Sequence, residues 1–294
     1  MKIILFCLGE RAFEVLKSLY ELGIGLDLKC VLAKDHRIQN DFSDEIITYC
    51  KLKNIPLFSK DEFHLSYFKY DLVIALGWRW LINEVEDKKL LIFHDSMLPK
   101  YRGYSPLVSA LLNKEKIIGA SVIYGEKEYD SGNILLQKSI VVDYPTTIGR
   151  EMTRMAHLYS DLAKKIVIGW IDSSISRDGI EQNEKEATYS LWRDEDDYLV
   201  DWRLPADKIL HFINCVGFPY GGASTYLAGN LVKVLSARLV GDVKVENRTP
   251  GKVIFIKNGQ PTVVCGVGLL QLEDLRHING SSILPLKSLR VKFG

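Results

Sequence analysis

A histidine and an aspartate in this sequence have the types and the surroundings that general acid–base catalysis needs. His94 ends the apolar run LLIFH at residues 90–94, and Asp130 lies in the polar segment GEKEYDSG at 125–132. An imidazole can take or relay a proton near neutral pH, and a carboxylate can orient the ring and favour its charged form. Because a lone histidine is more often structural, these residues alone leave a catalytic role for His94 open.

The hydrophobic pattern predicts the elements that carry this pair. Short apolar runs alternate with amphipathic segments over the first 75 residues, which is typical of a parallel sheet covered by helices, and hence of the α/β class. Strands are predicted at 2–8, 26–32, 71–76, 90–94, 117–124 and 134–142. Helices are predicted at 11–22, 42–52 and 148–170, and in a further segment that Ser105 caps and Pro106 begins.

A second candidate region is the segment GWRW, which directly follows the buried strand DLVIAL. Ligands of open α/β sheets bind beyond the carboxyl ends of the strands. Gly77, Trp78, Arg79 and Trp80 therefore lie where a ligand would be met. The alternative is that both tryptophans cover an edge of the core, and the pattern does not decide between the two.

The composition changes near residue 200. Residues 201–294 contain 12 Lys and Arg against 6 Asp and Glu, a net charge of +6, whereas the first 200 residues carry −5. A helix is predicted at 205–216, and short β-like runs separated by turns are predicted at 223–227, 232–239, 252–256, 262–265 and 268–275. This pattern favours a small β-barrel at the C-terminus.

The overall composition excludes several classes of protein. The 294 residues are 47% hydrophobic and 26% charged, as in soluble globular proteins, and the net charge of +1 indicates neither a nucleic acid nor a membrane as partner. Five cysteines without a C-x-x-C motif predict neither disulfides nor a metal site and suit a reducing cytoplasm. The first apolar run is too short for a signal peptide, and no run is long enough to span a membrane.

Two segments around the candidate pair resemble the folate-dependent formyltransferases. FHDSMLPKYRGYSPLVSAL at 93–111 is similar to their signature of a histidine, a serine, a Leu-Pro and an Arg-Gly, and DSGNIL at 130–135 stands where they have D-x-G-D-I-L. YSLWRDEDDYLVDW at 189–202 resembles the junction to the C-terminal barrel of methionyl-tRNA formyltransferases and nucleotide-sugar N-formyltransferases. The resemblance implies a Rossmann-like catalytic domain at 1–189, a linker at 190–202, and a helix with an OB-like β-barrel at 203–294.

The resemblance also implies an activity and a site. Such enzymes transfer the formyl group of N10-formyltetrahydrofolate to a primary amine, with His94 as the implied catalytic base and Asp130 as the implied catalytic aspartate. The implied cofactor-binding residues are Gly77, Trp78, Arg79, Trp80, Leu81, Glu126 and Tyr129. The implied substrate-binding residues are Ser96, Lys100, Tyr101 and Arg102. Lysine and arginine suit an acceptor's phosphate, although Arg102 is equally compatible with a role in pinning its own loop. No metal is implied.

Two residues depart from the family pattern, and the first is the more consequential. The usual motif has an asparagine two positions before the histidine, on the same face of the strand, where this sequence has Ile92. An isoleucine cannot donate a hydrogen bond to the oxygen that gains charge during transfer, and one such donor is typically worth ~2.7 to 4 kcal/mol. A backbone N–H, His94 as imidazolium or a side chain from elsewhere must replace it, or the enzyme is impaired. Asn133, where the family commonly has a second aspartate, is a smaller change.

The sequence favours a nucleotide-linked amino sugar as the acceptor. The tRNA-formylating members carry a basic insertion in the N-terminal domain, whereas the acids in KDHRIQNDFSDEII at 34–47 at least match its bases. Such sugars, often 4-amino-4,6-dideoxyhexoses, are precursors of surface polysaccharides. The alternatives are methionyl-tRNA formylation and a folate-binding homologue with impaired catalysis. No residue identifies the sugar or the nucleotide, and a homodimer is among the oligomeric states left open.

Overall fold

The computed structural model describes residues 1–36, 38–83, 85–86 and 88–294, and the chain divides into two compact units. The first unit contains residues 1–143 and 150–192, and the second contains residues 144–149 and 193–294. The segment predicted as a linker, 190–202, is divided between the two units.

The first unit is built around a seven-stranded sheet. The unit has nine strands in its described residues: β1 (Lys2–Cys7), β2 (Asp27–Leu32), β3 (Leu57–Ser59), β4 (Leu72–Leu76), β5 (Leu90–His94), β6 (Arg102–Gly103), β7 (Ile117–Tyr124), β8 (Ile134–Val141) and β9 (Tyr189–Ser190). The order in the sheet is β3-β2-β1-β4-β5-β7-β8, and β6 pairs separately with β9. The first five strands are parallel, while β7 and β8 are antiparallel to their neighbours.

Both faces of this sheet are buried at its central strands, whereas the edge strand β8 is largely exposed. The helices are α1 (Glu10–Tyr20), α2 (Ser43–Lys53), α3 (Pro106–Leu112) and α4 (Ile148–Ile171). On one face, the ring of Phe93 lies 5.1 Å from the ring of Tyr159 in α4. On the other face, Phe6 packs edge-on against Trp78 with ring centroids 4.9 Å apart. Burial on both sides explains why β4 reads as an uninterrupted apolar run.

The second unit combines one helix with an antiparallel sheet. Its elements are α5 (Ala206–Cys215), β10 (Ala223–Leu227), β11 (Asn230–Val240), β12 (Val253–Lys257), β13 (Gln260–Val264) and β14 (Leu269–His277). The strand order is β10-β11-β14-β13-β12. Bridges from Phe293 to Leu227 and from Lys292 to Lys252 bring residues near the C-terminus to both outer edges of the sheet. The antiparallel C-terminal unit is as predicted, and its OB-like character stays a prediction.

The α/β class and most element boundaries are confirmed, with the ends of the predicted elements within two residues of those observed. The sequence missed β3, β6 and β9, because strands of two or three residues carry no readable periodicity. The prediction that Ser105 caps α3 was wrong: its φ is 50° and its side chain makes no capping hydrogen bond. In the described part of the chain, no helix is long and apolar enough to cross a membrane.

Candidate active site

His94 lies at the carboxyl end of β5 with both ring nitrogens facing oxygen atoms. Its Nε2 is 2.8 Å from the backbone carbonyl of Tyr101, and its Nδ1 is 3.5 Å from Oδ1 of Asp130. A carbonyl can only accept a hydrogen bond, so Nε2 carries a proton and the neutral ring presents an unprotonated Nδ1 to the carboxylate. The side chain is only 8% exposed. A proton added at Nδ1 would therefore lie beside a carboxylate and away from bulk water.

Asp130 is held by the loop that follows the histidine, residues 95–103, called here the histidine loop. Its Oδ2 accepts a hydrogen bond from the backbone N–H of Gly103 at 2.8 Å. Gly103 has φ of 95°, and a Cβ there would lie 2.7 Å from the carbonyl oxygen of Ser190, so the position requires glycine. The structure thus brings the two predicted catalytic residues together through the backbone of the histidine loop.

The residue after the histidine anchors the start of this loop. Asp95 accepts a hydrogen bond from the Tyr159 hydroxyl at 2.5 Å and forms an ion pair with Arg11. Burial, with the Asp95 charge as the next cause, holds the pKa of the Tyr159 phenol well above its ordinary value, so the hydroxyl remains a donor. The sequence analysis missed this network. The acid directly after His94 was the one feature of the sequence that could have indicated it.

Ile92 lies on the same face of the sheet as His94, as predicted. Its register partners are Ala75 of β4 and Ile123 of β7, while Ser121 of β7 is paired with His94. The Ser121 hydroxyl is already engaged, because it donates to one backbone carbonyl at 2.6 Å and accepts from a backbone N–H at 3.0 Å. The strand neighbours of Ile92 are apolar, so they do not replace the amide that the sequence motif led us to expect.

The residues predicted to bind the acceptor differ in their contacts. The Ser96 hydroxyl donates to the carbonyl of Lys100 at 2.6 Å, and the Tyr101 hydroxyl donates to the Glu115 carboxylate at 2.8 Å. Arg102 is 3% exposed and its guanidinium is hydrogen-bonded within the unit. Of the two roles left open for Arg102, these contacts favour the one that pins its own loop. The Lys100 side chain is exposed.

The loop after β4 contains one partly buried tryptophan that packs against the core and one at the surface. Trp78 packs on an apolar cluster that includes Phe6, whereas Trp80 is 40% exposed and Leu81 is 70% exposed. Within the described residues, the buried Nε1 of Trp78 has no hydrogen-bond partner. A buried donor without a partner is costly unless a ligand satisfies it. This donor and the apolar side chains beside it suit a flat heteroaromatic ring with acceptor atoms, such as a pterin.

The other predicted cofactor-binding residues have different surroundings. At Gly77, a Cβ would lie 2.6 Å from the backbone oxygen of Leu8, so glycine permits a close approach of two strand ends. Arg79 forms an ion pair with the buried Asp35 at 2.5 Å.

The loop that carries the predicted catalytic aspartate, residues 126–133, is called here the aspartate loop. Its Tyr129 is 68% exposed. Its Glu126 lines an open polar cavity of about 440 Å³ together with Gly132 and Gln182. The lining of this cavity includes none of the residues 77–81. The cavity therefore does not unite the two predicted halves of the cofactor site.

Comparison with known families identifies the family to which the residues around His94 and Asp130 belong. Residues 62–166, which include both His94 and Asp130, match the model of the formyl transferase family, and residues 193–289 match the model of the formyl transferase C-terminal domain. The chain belongs to the formyltransferase family. The predicted family and the predicted class of enzyme, a transferase, are thereby confirmed.

Two curated relatives of this formyltransferase bear different names. Methionyl-tRNA formyltransferase of Alkaliphilus oremlandii is 26% identical over 234 residues, which cover 76% of this chain and 74% of the relative. The bifunctional polymyxin resistance protein ArnA of Wigglesworthia glossinidia brevipalpis is 26% identical over 275 residues, which cover 90% of this chain and 41% of that protein.

Solved structures share the fold of this formyltransferase. HypX from Aquifex aeolicus in complex with tetrahydrofolic acid has a TM-score of 0.66 at 17% identity, over 96% of this chain and 45% of HypX. WlaRD, a sugar 3N-formyl transferase solved with dTDP and 5-N-formyl-THF, has a TM-score of 0.65 at 17% identity, over 93% and 97% of the two chains. The N-formyltransferase from Helicobacter canadensis with folinic acid and dTDP-3-aminofucose has a TM-score of 0.60 at 14% identity, over 92% and 98%.

Proposed function

We propose that this formyltransferase transfers the formyl group of N10-formyltetrahydrofolate to the amine of a nucleotide-linked amino sugar, for surface polysaccharide biosynthesis. The observation that carries the proposal is the His94 ring, which lies 2.8 Å from the Tyr101 carbonyl and 3.5 Å from Asp130. His94 and Asp130 stand at the positions of the histidine and the aspartate in the family motif. A cytoplasmic location stays a prediction.

His94 is the group that moves the proton in this proposal. An amine that attacks a formyl carbon must lose a proton, and Nδ1 is the ring atom that can take it because Nε2 is committed to the Tyr101 carbonyl. The 3.5 Å from Nδ1 to Asp130 exceeds a hydrogen bond, so the carboxylate does not saturate this nitrogen. Once protonated, the ring is stabilised by the Asp130 charge, and the proton is available to the nitrogen that leaves the formyl group.

The donor supplies an electrophilic formyl carbon when it is bound. Trp78, with its unsatisfied indole N–H, the exposed Leu81 and the backbone of residues 126–129 are the groups that would hold its pterin ring. The folates bound in the HypX and WlaRD structures support this donor.

The segment 34–47 supports a sugar acceptor over tRNA. Its Asp35 is paired with Arg79, and its Asp41 accepts hydrogen bonds from the backbone N–H groups of Asp35 and Ser43 at 2.8 and 3.0 Å. The sequence of the segment has only one lysine and one arginine against four acids, so it does not contain the row of cations that tRNA phosphates require. Arg37 of this segment lies outside the described residues. The dTDP in the WlaRD structure and the dTDP-3-aminofucose in the Helicobacter canadensis enzyme support the same acceptor class.

The test is a formyl-transfer assay with N10-formyltetrahydrofolate against 3-amino and 4-amino sugars linked to dTDP or UDP, with initiator methionyl-tRNA in parallel. We expect transfer to at least one nucleotide sugar and no salt-sensitive tRNA complex of micromolar affinity. Transfer to the tRNA alone would overturn the acceptor and favour the activity named for the Alkaliphilus oremlandii relative. Folate binding without transfer to any acceptor would instead indicate a homologue with impaired catalysis. Ile92, which stands in place of the family asparagine, is the reason to consider that outcome.

A further inference from the structure

We propose that Gln182 is a positioning residue for this reaction, which holds the Asp130 carboxylate at His94 by fixing two backbone carbonyls, that of the aspartate itself and that of Gly132. The Gln182 Nε2 donates to the carbonyl of Asp130 at 2.7 Å and to the carbonyl of Gly132 at 2.8 Å. The residue is 6% exposed, so water does not compete for these bonds. The inference rests on the proposed formyl transfer.

The other end of the same side chain reaches the histidine loop. Gln182 Oε1 accepts hydrogen bonds from Nε and Nη2 of Arg102 at 3.1 and 2.8 Å. Arg102 lies between Tyr101, whose carbonyl holds the His94 ring, and Gly103, whose N–H binds the Asp130 carboxylate. One amide group therefore ties the histidine loop to the aspartate loop.

The backbone conformation of Asp130 explains why hydrogen bonds from another segment are needed. Its φ is 55°, a left-handed conformation that costs free energy for aspartate unless surrounding contacts stabilise it. Fixing the carbonyls of Asp130 and Gly132 removes the backbone freedom that would let the carboxylate turn away from His94. A group displaced by about 1 Å can lose about 10²-fold in rate even though the substrates still bind.

Two substitutions separate the acceptor function of the Gln182 amide from its donor function. Gln182→Met keeps the length of the side chain and removes both the acceptor and the donors. Gln182→Glu keeps an acceptor for Arg102 and removes the two N–H donors to the aspartate loop. We expect both variants to lower kcat about tenfold or more, with KM for donor and acceptor changed less than about twofold. Gln182→Glu retains the bond to Arg102, so it carries the test if Gln182→Met does not fold.

The matched control is Gln271 in the second unit, a buried glutamine whose Oε1 accepts from Arg238. Gln271→Met should lower the stability of the folded protein, because a buried hydrogen bond is lost, and should leave kcat unchanged. A kcat within twofold of wild type for folded Gln182→Glu, or an equal loss in Gln271→Met, would overturn the proposal.

A second readout does not depend on activity. Hydrogen exchange of the Gly103 amide, measured by NMR, reports the bond to Asp130. We expect its protection to fall in Gln182→Glu and to persist in Gln271→Met, and unchanged protection in both would overturn the positioning role. If the wild-type protein formylates no acceptor, the proposed function fails, while the exchange experiment still judges the tie between the loops.

Discussion

The two units each contain a cluster of the same three residue types with very different consequences. In the first unit the cluster is Arg102, Gln182 and Glu184, and in the second unit it is Arg238, Gln271 and Glu273. In both, the glutamine oxygen and the glutamate carboxylate bind one guanidinium. The Arg102 side chain is 3% exposed, however, whereas that of Arg238 is 52% exposed.

The difference lies in what the backbone already fixes. Arg238 and Gln271 are register partners in the β11–β14 ladder, so main-chain hydrogen bonds hold them in place and the exposed ion pair is worth at most ~1 kcal/mol. Arg102 belongs to β6, which pairs with β9, and it shares no ladder with Gln182, which lies 80 residues away in sequence. In the first unit, side-chain hydrogen bonds therefore make the connection between arginine and glutamine that a shared ladder makes in the second unit, and we expect the geometry of His94 and Asp130 to depend on them.

The largest expected effect comes from removing the imidazole ring of His94. His94→Ala should lower single-turnover formyl transfer by about 10²-fold or more, because a general base contributes ~10²- to 10⁴-fold. Folate affinity should stay close to that of wild type, since His94 moves a proton and does not hold the pterin. Rapid-quench kinetics and a folate titration check both, and a rate within tenfold of wild type would remove His94 from the mechanism.

Asp130→Asn should have the next largest effect. The amide can still accept from Gly103, so the fold should persist, but it carries no charge to stabilise the imidazolium. We expect a loss of about tenfold or more in kcat, smaller than that of His94→Ala. A kcat within twofold of wild type for folded Asp130→Asn would contradict the role given to Asp130.

Ile92→Asn tests whether the site was built without the family amide. Because Ile92 and His94 share a strand face, the new amide would reach the reaction centre. We expect kcat to change by less than about threefold, with a stability cost of ~1 to 3 kcal/mol for the partly buried amide. A gain approaching ~10²-fold, the value of one added oxyanion donor, would show instead that the natural site is impaired.

The smallest expected effect concerns Glu184, the exposed member of the first cluster. The hydrogen bond from Arg102 holds the pKa of the Glu184 carboxyl below its ordinary value. Such a group stabilises the folded protein above its unfolded pKa, and this contribution is lost as the pH falls through the lowered folded value. Glu184→Gln should therefore lower Tm slightly at neutral pH, and the difference should vanish in acid. A Tm difference that is the same at all pH values would rule out this origin.

The sequence singled out the pair that the structure brings together, His94 and Asp130, but not the groups around it. Both residues lie in local motifs with a strand before each loop, so residue type and order were enough to propose them as the catalytic pair. Gln182 lies in a turn-rich segment without periodicity, and its role depends on partners 50 to 80 residues away. The sequence left two roles open for Arg102, binding a phosphate or pinning its own loop, and only the three-dimensional contacts with Gln182 and Glu184 favour the second.

The most direct test of the account is a double-mutant cycle between His94 and Asp130, measured as single-turnover formyl transfer to the acceptor found in the panel. If Asp130 acts through the imidazole, Asp130→Asn should cost less than about twofold in the His94→Ala background, although it costs about tenfold or more in wild type. The double variant would then resemble His94→Ala alone. Two losses that multiply in full would contradict the account, because they would mean that the two side chains act independently.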